Sequence, residues 1–134
     1  VYRREARLVA DIYRLHIKAE LISADGTPPK EYNLFRTVDE SAMYRIELAA
    51  GATDQSLVLT GTGGIETYQC LLVVVDRACT IRPGGGSTTT FTITGTPQDP
   101  AAFLLWRTSQ NVTPTITNND STNVANVAVV AGGT

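Results

Sequence analysis

The feature that most constrains the fold is a run of five consecutive apolar residues at 71–75, Leu-Leu-Val-Val-Val. Three of them are β-branched, and the run is too short for a helix with a polar stripe, so it is typical of a strand covered on both faces. Asp76 and Arg77 interrupt it, and the apolar pattern resumes at 78–81 before Pro83. The pattern predicts two strands joined by a tight turn, a hairpin at the centre of a β-sandwich.

Short apolar or alternating stretches recur along the rest of the chain, separated by glycine, proline and polar turn residues. Between Tyr13 and Leu21 apolar and polar residues alternate strictly, whereas Leu8, Val9 and Ile12 also suit a helical stripe. We expect the alternating segment to be a half-buried strand. The remaining predicted strands lie at 32–38, 43–49, 56–60, 88–94, 103–106, 112–118 and 124–130.

The fold predicted from this spacing is all-β: a single-domain antiparallel β-sandwich, jelly-roll-like, over residues 13–134, with a charged N-terminal arm over residues 1–12. A chain of 134 residues suffices for one domain around one core. Its apolar runs are all far shorter than the roughly 18 residues of a membrane span. The net charge of −2 offers no general attraction to phosphates. Neither a membrane nor nucleic acid is an expected partner.

Charge is unevenly distributed along the chain. Residues 1–50 hold eight acidic and eight basic side chains, whereas residues 108–134 hold only Asp120. We expect the almost uncharged C-terminal segment to form strands, part of which face another subunit.

The two cysteines, Cys70 and Cys79, are expected to remain free. If Asp76 and Arg77 form a two-residue turn, Val74 pairs with Cys79, and the two cysteines lie on the order of 13 Å apart along one face. A disulfide needs Cα atoms within roughly 7 Å. Two buried thiols are consistent with assembly in a reducing cytoplasm.

Residues that could carry catalysis are few. His16, the only histidine, lies between Arg14 and Lys18 on the charged side of its strand, where a surface or interface role is favoured. The glycine runs at 61–64 and 84–86 lack the Lys-Ser/Thr that follows a phosphate loop. We predict no catalytic, cofactor-binding or metal-binding residue, and hence no enzyme.

One alternative rests on aromatic residues. Trp106, Tyr68 and Tyr44 could form the sugar-stacking platform of a carbohydrate-binding module, although Trp106 directly follows the apolar residues 103–105 and burial in the core is favoured.

The C-terminal half carries a resemblance to a known group of proteins. The stretches LLVVVDRACTIR (71–82), FLLW (103–106), ITNN (116–119) and ANVAVVAGG (125–133) resemble small β-sandwich proteins of tailed-phage virions, which serve as decoration, cement or neck components. The similarity covers roughly residues 57–133. It implies no catalytic residue.

This resemblance implies a non-enzymatic capsid decoration or cement protein, assembled in the bacterial cytoplasm and located in the virion. A neck, tail or baseplate component is the alternative within the same class. The expected partners are identical subunits, as a homo-oligomer with three copies favoured, and a major capsid or tail protein. The residues expected to reach a partner are basic ones in the arm and first strand: Arg3, Arg4, Arg7, Arg14, His16 and Lys18.

Overall fold

A computed structural model describes residues 13–57, 65, 68–84, 89–110 and 114–133, with the backbone alone at 107–110. Every regular element among them is a β-strand, and every strand pair is antiparallel. The strands are β1 (Tyr13–Leu21), β2 (Lys30–Val38), β3 (Glu40–Leu48), β4 (Gln55–Ser56), β5 (Tyr68–Val75), β6 (Ala78–Arg82), β7 (Phe91–Thr94), β8 (Ala101–Gln110), β9 (Thr115–Asn118) and β10 (Ala125–Gly133).

The chain divides into two compact units between Asp39 and Glu40. In the first unit, β1 and β2 pair along their full length, from Tyr13 opposite Val38 to Leu21 opposite Lys30. The sequence predicts a sandwich domain over residues 13–134. In the structure β1 and β2 pair only with each other among the described strands, and both four-stranded sheets are built from strands that begin at Glu40 or later. The predicted arm, residues 1–12, lies outside the described residues.

The second unit confirms the predicted β-sandwich. One sheet has the strand order β3-β10-β5-β8 and the other has the order β4-β9-β6-β7. With these strands renumbered from one to eight along the chain, the sheets run 1-8-3-6 and 2-7-4-5. This interleaving, in which consecutive strands repeatedly change sheet, is the topology of a jelly roll.

The core lies between the two sheets. Alternate residues of β5 and β10 supply one side of it, and inward residues of β6 and β9 supply the other. These side chains are apolar and almost completely buried: Leu71, Val73, Val75, Val127, Val129, Ala131, Cys79, Ile81 and Ile116.

The predicted hairpin between β5 and β6 is wrong, although both strands exist. β5 pairs with β10 and β8, and β6 pairs with β7 and β9, so the chain crosses from one sheet to the other at Asp76 and Arg77. A two-residue hairpin turn needs positive φ at one or both central residues. Neither Asp76 nor Arg77 has a positive φ, and Val75 and Cys79 both point into the core between the sheets.

The expectation that β5 is covered on both faces is also only half correct. Tyr68, Leu71, Val73 and Val75 are buried, whereas Leu72 and Val74 on the outer face are only half-buried. The side chains of the continuous apolar run therefore alternate between the core face and the outer face of the sandwich.

Both cysteines are free and buried, as predicted. The physical reason differs from the predicted one, since Cys70 belongs to β5 and Cys79 to β6, in different sheets. The Cys70 thiol lies 3.7 Å from the carbonyl oxygen of Gly132 on the neighbouring β10.

Asn118, the buried polar residue at the end of β9, connects the two sheets. Its side-chain nitrogen donates to the carbonyl oxygens of Leu48 (3.3 Å), Ala49 (3.1 Å) and Asn123 (2.9 Å), and its side-chain oxygen accepts from the backbone nitrogen of Asp120 at 3.0 Å. Leu48 ends β3 in the other sheet, whereas Asp120 and Asn123 lie in the loop between β9 and β10. The Asn118 side chain, with 1% exposure, therefore satisfies backbone groups at the end of β3 and in that loop.

Replacing this residue tests its structural role. Asn118→Ala is expected to lower the free energy of unfolding by about 1–3 kcal/mol, because buried carbonyl groups lose their donor. Chemical denaturation measures the change. The control is Asn119→Ala, which removes a hydrogen bond between exposed groups, from the Asn119 amide to the Thr80 hydroxyl, and should change stability by less than about 1 kcal/mol. Equal effects at the two positions would contradict this role.

The thiols provide a second test. Burial, with a smaller contribution from the Asp76 carboxylate, raises the pKa of Cys79 to about 11. Because the thiolate is the reactive form, a thiol reagent at pH 8 should modify the folded protein far more slowly than the protein in denaturant, where both cysteines become accessible. Equal rates in the two states would show that the thiols are not enclosed.

Candidate interaction surfaces

The hairpin of β1 and β2 has two chemically different faces. Because residues directly opposite each other in an antiparallel pair lie on the same face, the register separates the side chains into two sets. One face is charged and carries Arg14, His16, Lys18, Glu20, Glu31, Asn33, Phe35 and Thr37. The other is mainly apolar and carries Tyr13, Leu15, Ile17, Ala19, Leu21, Tyr32, Leu34 and Val38, together with Lys30 and Arg36.

The structure places three of the predicted partner-binding residues, Arg14, His16 and Lys18, together on the charged face. The His16 ring stacks on Phe35 with centroids 4.3 Å apart, and its Nε2 lies 2.7 Å from the Asn33 side-chain oxygen. The Arg14 guanidinium lies 4.4 Å from the centre of the same Phe35 ring, a cation–π contact. Arg3, Arg4 and Arg7 lie outside the described residues.

Lys18 is paired within the hairpin. Its ammonium lies 3.0 Å from the Glu31 carboxylate and 3.3 Å from the Glu20 carboxylate. The hydrogen bonds that Lys18 donates, chiefly to Glu31 and then to Glu20, raise the pKa of Lys18, and the same bond from Lys18 lowers the pKa of Glu31. The charged face is therefore balanced within itself, and it is not a patch of excess positive charge.

The apolar face is more exposed than a core face would be. Tyr13 is 41% exposed, Tyr32 is 69% exposed and Leu21 is 72% exposed, and the central Leu15 and Ile17 are only half-buried. The partner-binding residues predicted from the sequence belong to the charged face and the N-terminal arm, and none of them lies on this apolar face. The available signal was the strict alternation in β1, which identified the same residues as apolar neighbours.

The outer face of the four-stranded sheet β3-β10-β5-β8 carries a second apolar surface. Met43, Val130, Leu72 and Leu104 lie directly opposite one another on successive strands, and we refer to these four residues as the aliphatic row. The two ends of the row are the most exposed, Met43 at 79% and Leu104 at 40%. An outward-facing sheet surface in water is usually polar, so this row is an exception to the expected alternation.

Beside the row, an open depression of about 440 Å³ contains Arg45, Glu47, Val74, Asp76 and Asn126. The Asp76 carboxylate accepts hydrogen bonds from the backbone nitrogen of Asn126 at 2.8 Å and from its side-chain nitrogen at 2.9 Å. This arrangement joins the crossing after β5 to the start of β10. It gives Asp76 a structural role at this position.

The aromatic residues of the carbohydrate-binding alternative do not form one exposed platform. Tyr68 is 1% exposed, and its hydroxyl donates to the carbonyl oxygen of Pro83. Tyr44 and Trp106 are half-buried. Since a buried ring cannot stack on a sugar, Tyr68 is excluded from such a site.

Within the described ranges, no three His, Cys, Asp or Glu side chains come together as possible metal ligands. No helix among the same residues is long and apolar enough to cross a membrane. Comparison of the chain with family models, curated proteins and solved structures finds no match.

The Asp76 contact predicts a dependence of stability on pH. Burial alone would raise the pKa of Asp76, but the hydrogen bonds from Asn126, together with the charge of Arg77 and a backbone hydrogen bond, outweigh burial, and the pKa is lowered. A carboxyl group whose pKa is lowered by folding stabilises the protein above its ordinary pKa, about 3.9, and loses this contribution as the pH falls. Asp76→Asn should therefore flatten the decline in unfolding free energy between about pH 5 and pH 2.

Chemical denaturation at successive pH values measures this slope. Asn126→Ala, which removes the side-chain donor, should produce part of the same flattening. If neither substitution changed the pH dependence of the unfolding free energy, the hydrogen bonds from Asn126 would not stabilise the ionised Asp76 carboxylate in solution.

Proposed function

We propose that this protein is a non-enzymatic structural component of a tailed-phage virion, a capsid decoration or cement protein that stabilises the shell by contacts between subunits. The resemblance of residues 57–133 to small virion β-sandwich proteins supports the virion setting. Jelly rolls occur in viral capsid domains and also in lectins and cupins, so the fold is compatible with this role without selecting it.

The observation that carries the proposal is the exposed apolar face of the hairpin. A two-stranded hairpin is at best marginally stable alone in water, and Leu21 and Tyr32 remain largely exposed and Tyr13 partly so. Seating this face on a neighbouring subunit would remove it from water, and each 100 Å² of apolar surface buried contributes about 2.5 kcal/mol toward offsetting the entropic cost of association. The exposed apolar face of the hairpin therefore supports a role in which this protein is held against other subunits.

The proposed mechanism is additive burial. Each copy contacts the major capsid protein through the apolar face of its hairpin and binds identical copies through the sandwich. The charged face, whose Lys18 is already paired with Glu20 and Glu31, remains in water or supplies polar contacts at the rim. This division of roles matches the usual arrangement of interfaces, with an apolar centre and a polar border.

Binding to shells tests the proposal. The purified protein is mixed with expanded capsids of the phage that encodes it, and bound protein is measured after co-sedimentation. Tyr32→Glu places a charge in the apolar face and should weaken binding at least about tenfold, the effect of 1.4 kcal/mol. Thr37→Glu adds the same charge to the other face of the same strand, opposite Arg14, and should leave binding within about threefold of the wild type.

Wild-type protein that does not bind expanded capsids would contradict the decoration role. Quantitative mass spectrometry of purified particles would then separate the alternatives: about a dozen copies or fewer would indicate a neck, tail or baseplate component, and absence from the particle would overturn the virion assignment.

A further inference from the structure

We propose that the outer edge of β8 pairs with β8 of a second copy, so that two sandwiches join through one continuous sheet. This inference deepens the proposed function by naming the partner at one surface, and it relies on that function for its biological setting. β8 is the last strand in the order β3-β10-β5-β8, and its described partner, β5, lies on one side only. Edge strands offer backbone donors and acceptors for pairing with another strand.

The two edges of this sheet differ in charge. At one edge β3 carries Glu40, Arg45 and Glu47, and charged side chains of this kind prevent edge-to-edge pairing. At the other edge the first six residues of β8, Ala-Ala-Phe-Leu-Leu-Trp, contain no charge and no proline, and Arg107 is the first charged residue of the strand. Over residues 101–106, the part of β8 whose side chains the structure describes, the strand therefore has no charged residue or proline of its own to block pairing.

Apolar surface accompanies this edge. β7, the last strand of the other sheet, is also uncharged, and its Phe91 ring lies 5.1 Å from the Phe103 ring of β8. Phe91 remains 42% exposed and Leu104 remains 40% exposed. The side of the sandwich formed by β7 and β8 thus combines an unprotected strand with exposed apolar side chains.

A second copy fits this edge because the strand is compatible with itself. In an antiparallel pair related by a two-fold axis, outward residues must face outward residues. An axis at Leu104 meets this condition and sets Leu104 beside Leu104 of the second copy, while Phe103 faces Leu105 of the second copy within the core layer. The aliphatic row would then continue from Met43 to Met43 across eight strands.

Pairing at the other edge would bring charged side chains together. A two-fold axis at Arg45 of β3 would place two guanidinium groups directly opposite each other, which destabilises a strand pair, and an axis at Ile46 would set Arg45 opposite Glu47, an exposed ion pair that contributes at most about 1 kcal/mol. The apolar side chains of β8 gain more from leaving water, so β8 is favoured over β3 for pairing between copies. A two-fold pair also predicts an even number of copies, in place of the trimer that the resemblance implies.

The oligomeric state of the full chain tests the inference. Sedimentation velocity across a range of protein concentrations should show a monomer–dimer equilibrium for the wild type. Leu104→Lys, which places two like charges at the axis, should raise the dissociation constant at least about tenfold. Met43→Lys makes the same chemical change at the far end of the aliphatic row and should leave the dissociation constant within about threefold.

Cross-linking identifies the contact directly. Residues opposite each other across an antiparallel pair have Cβ atoms about 4.5–5.5 Å apart, so two copies of Leu104→Cys should be joined by a short bis-maleimide reagent into a dimer that is visible on a denaturing gel. Met43→Cys is the matched control and should remain monomeric on the gel. Circular dichroism and thermal unfolding establish that each variant is folded.

A monomer at all concentrations, a trimer, or equal effects of the Leu104 and Met43 substitutions would overturn the inference. These outcomes are independent of capsid binding. A monomer that still binds capsids would refute the β8 pairing and leave the proposed function standing. A dimer that does not bind capsids would refute the proposed function and leave the β8 pairing standing.

Discussion

The sandwich depends on the point at which the chain leaves one sheet and enters the other, at Asp76 and Arg77. The Asp76 carboxylate binds Asn126 at the start of β10, and the Arg77 carbonyl accepts a hydrogen bond from Gly95 at 3.4 Å. A Cβ at Gly95 would lie 2.2 Å from the Val75 carbonyl oxygen, so only glycine permits this approach of the chain. Because of this crossing, β5 and β6 lie in opposite sheets. β5 then pairs with β10 and β8, and β6 pairs with β9 and β7.

Local patterns in the sequence predicted where strands form but not how they pair. Alternation identified Tyr13–Leu21 correctly, since side chains on a strand repeat every two residues whatever the partner. The sequence neighbours β5 and β6 looked like a hairpin because both are apolar and only two residues separate them. Three of their four true partners, β8, β9 and β10, are distant in sequence, and the apolar pattern of residues 71–82 does not encode that choice. The positive-φ requirement of a hairpin turn, which Asp-Arg does not suit, was the one available warning.

The interaction surfaces show the same division between local and non-local information. Charge and spacing placed Arg14, His16 and Lys18 on one face correctly, but they did not show that Phe35, Glu20 and Glu31 already occupy these groups. The aliphatic row could not be predicted from the sequence, because its four residues come from four separate strands: Met43, Val130, Leu72 and Leu104. It exists only after register brings them side by side. The structural role of buried Asn118 could not be predicted for the same reason, since one of its acceptors is the carbonyl oxygen at the end of β3.

The unequal edges of the sheet have a consequence for the size of any assembly built through them. If both β3 and β8 were uncharged and apolar, each added copy would expose a fresh edge, and the sheet could lengthen without limit into a fibre. Glu40, Arg45 and Glu47 disfavour such pairing at the β3 edge. Growth by strand pairing would therefore stop once two β8 edges have met, which leaves a closed particle of defined mass with acidic and basic side chains at both outer ends.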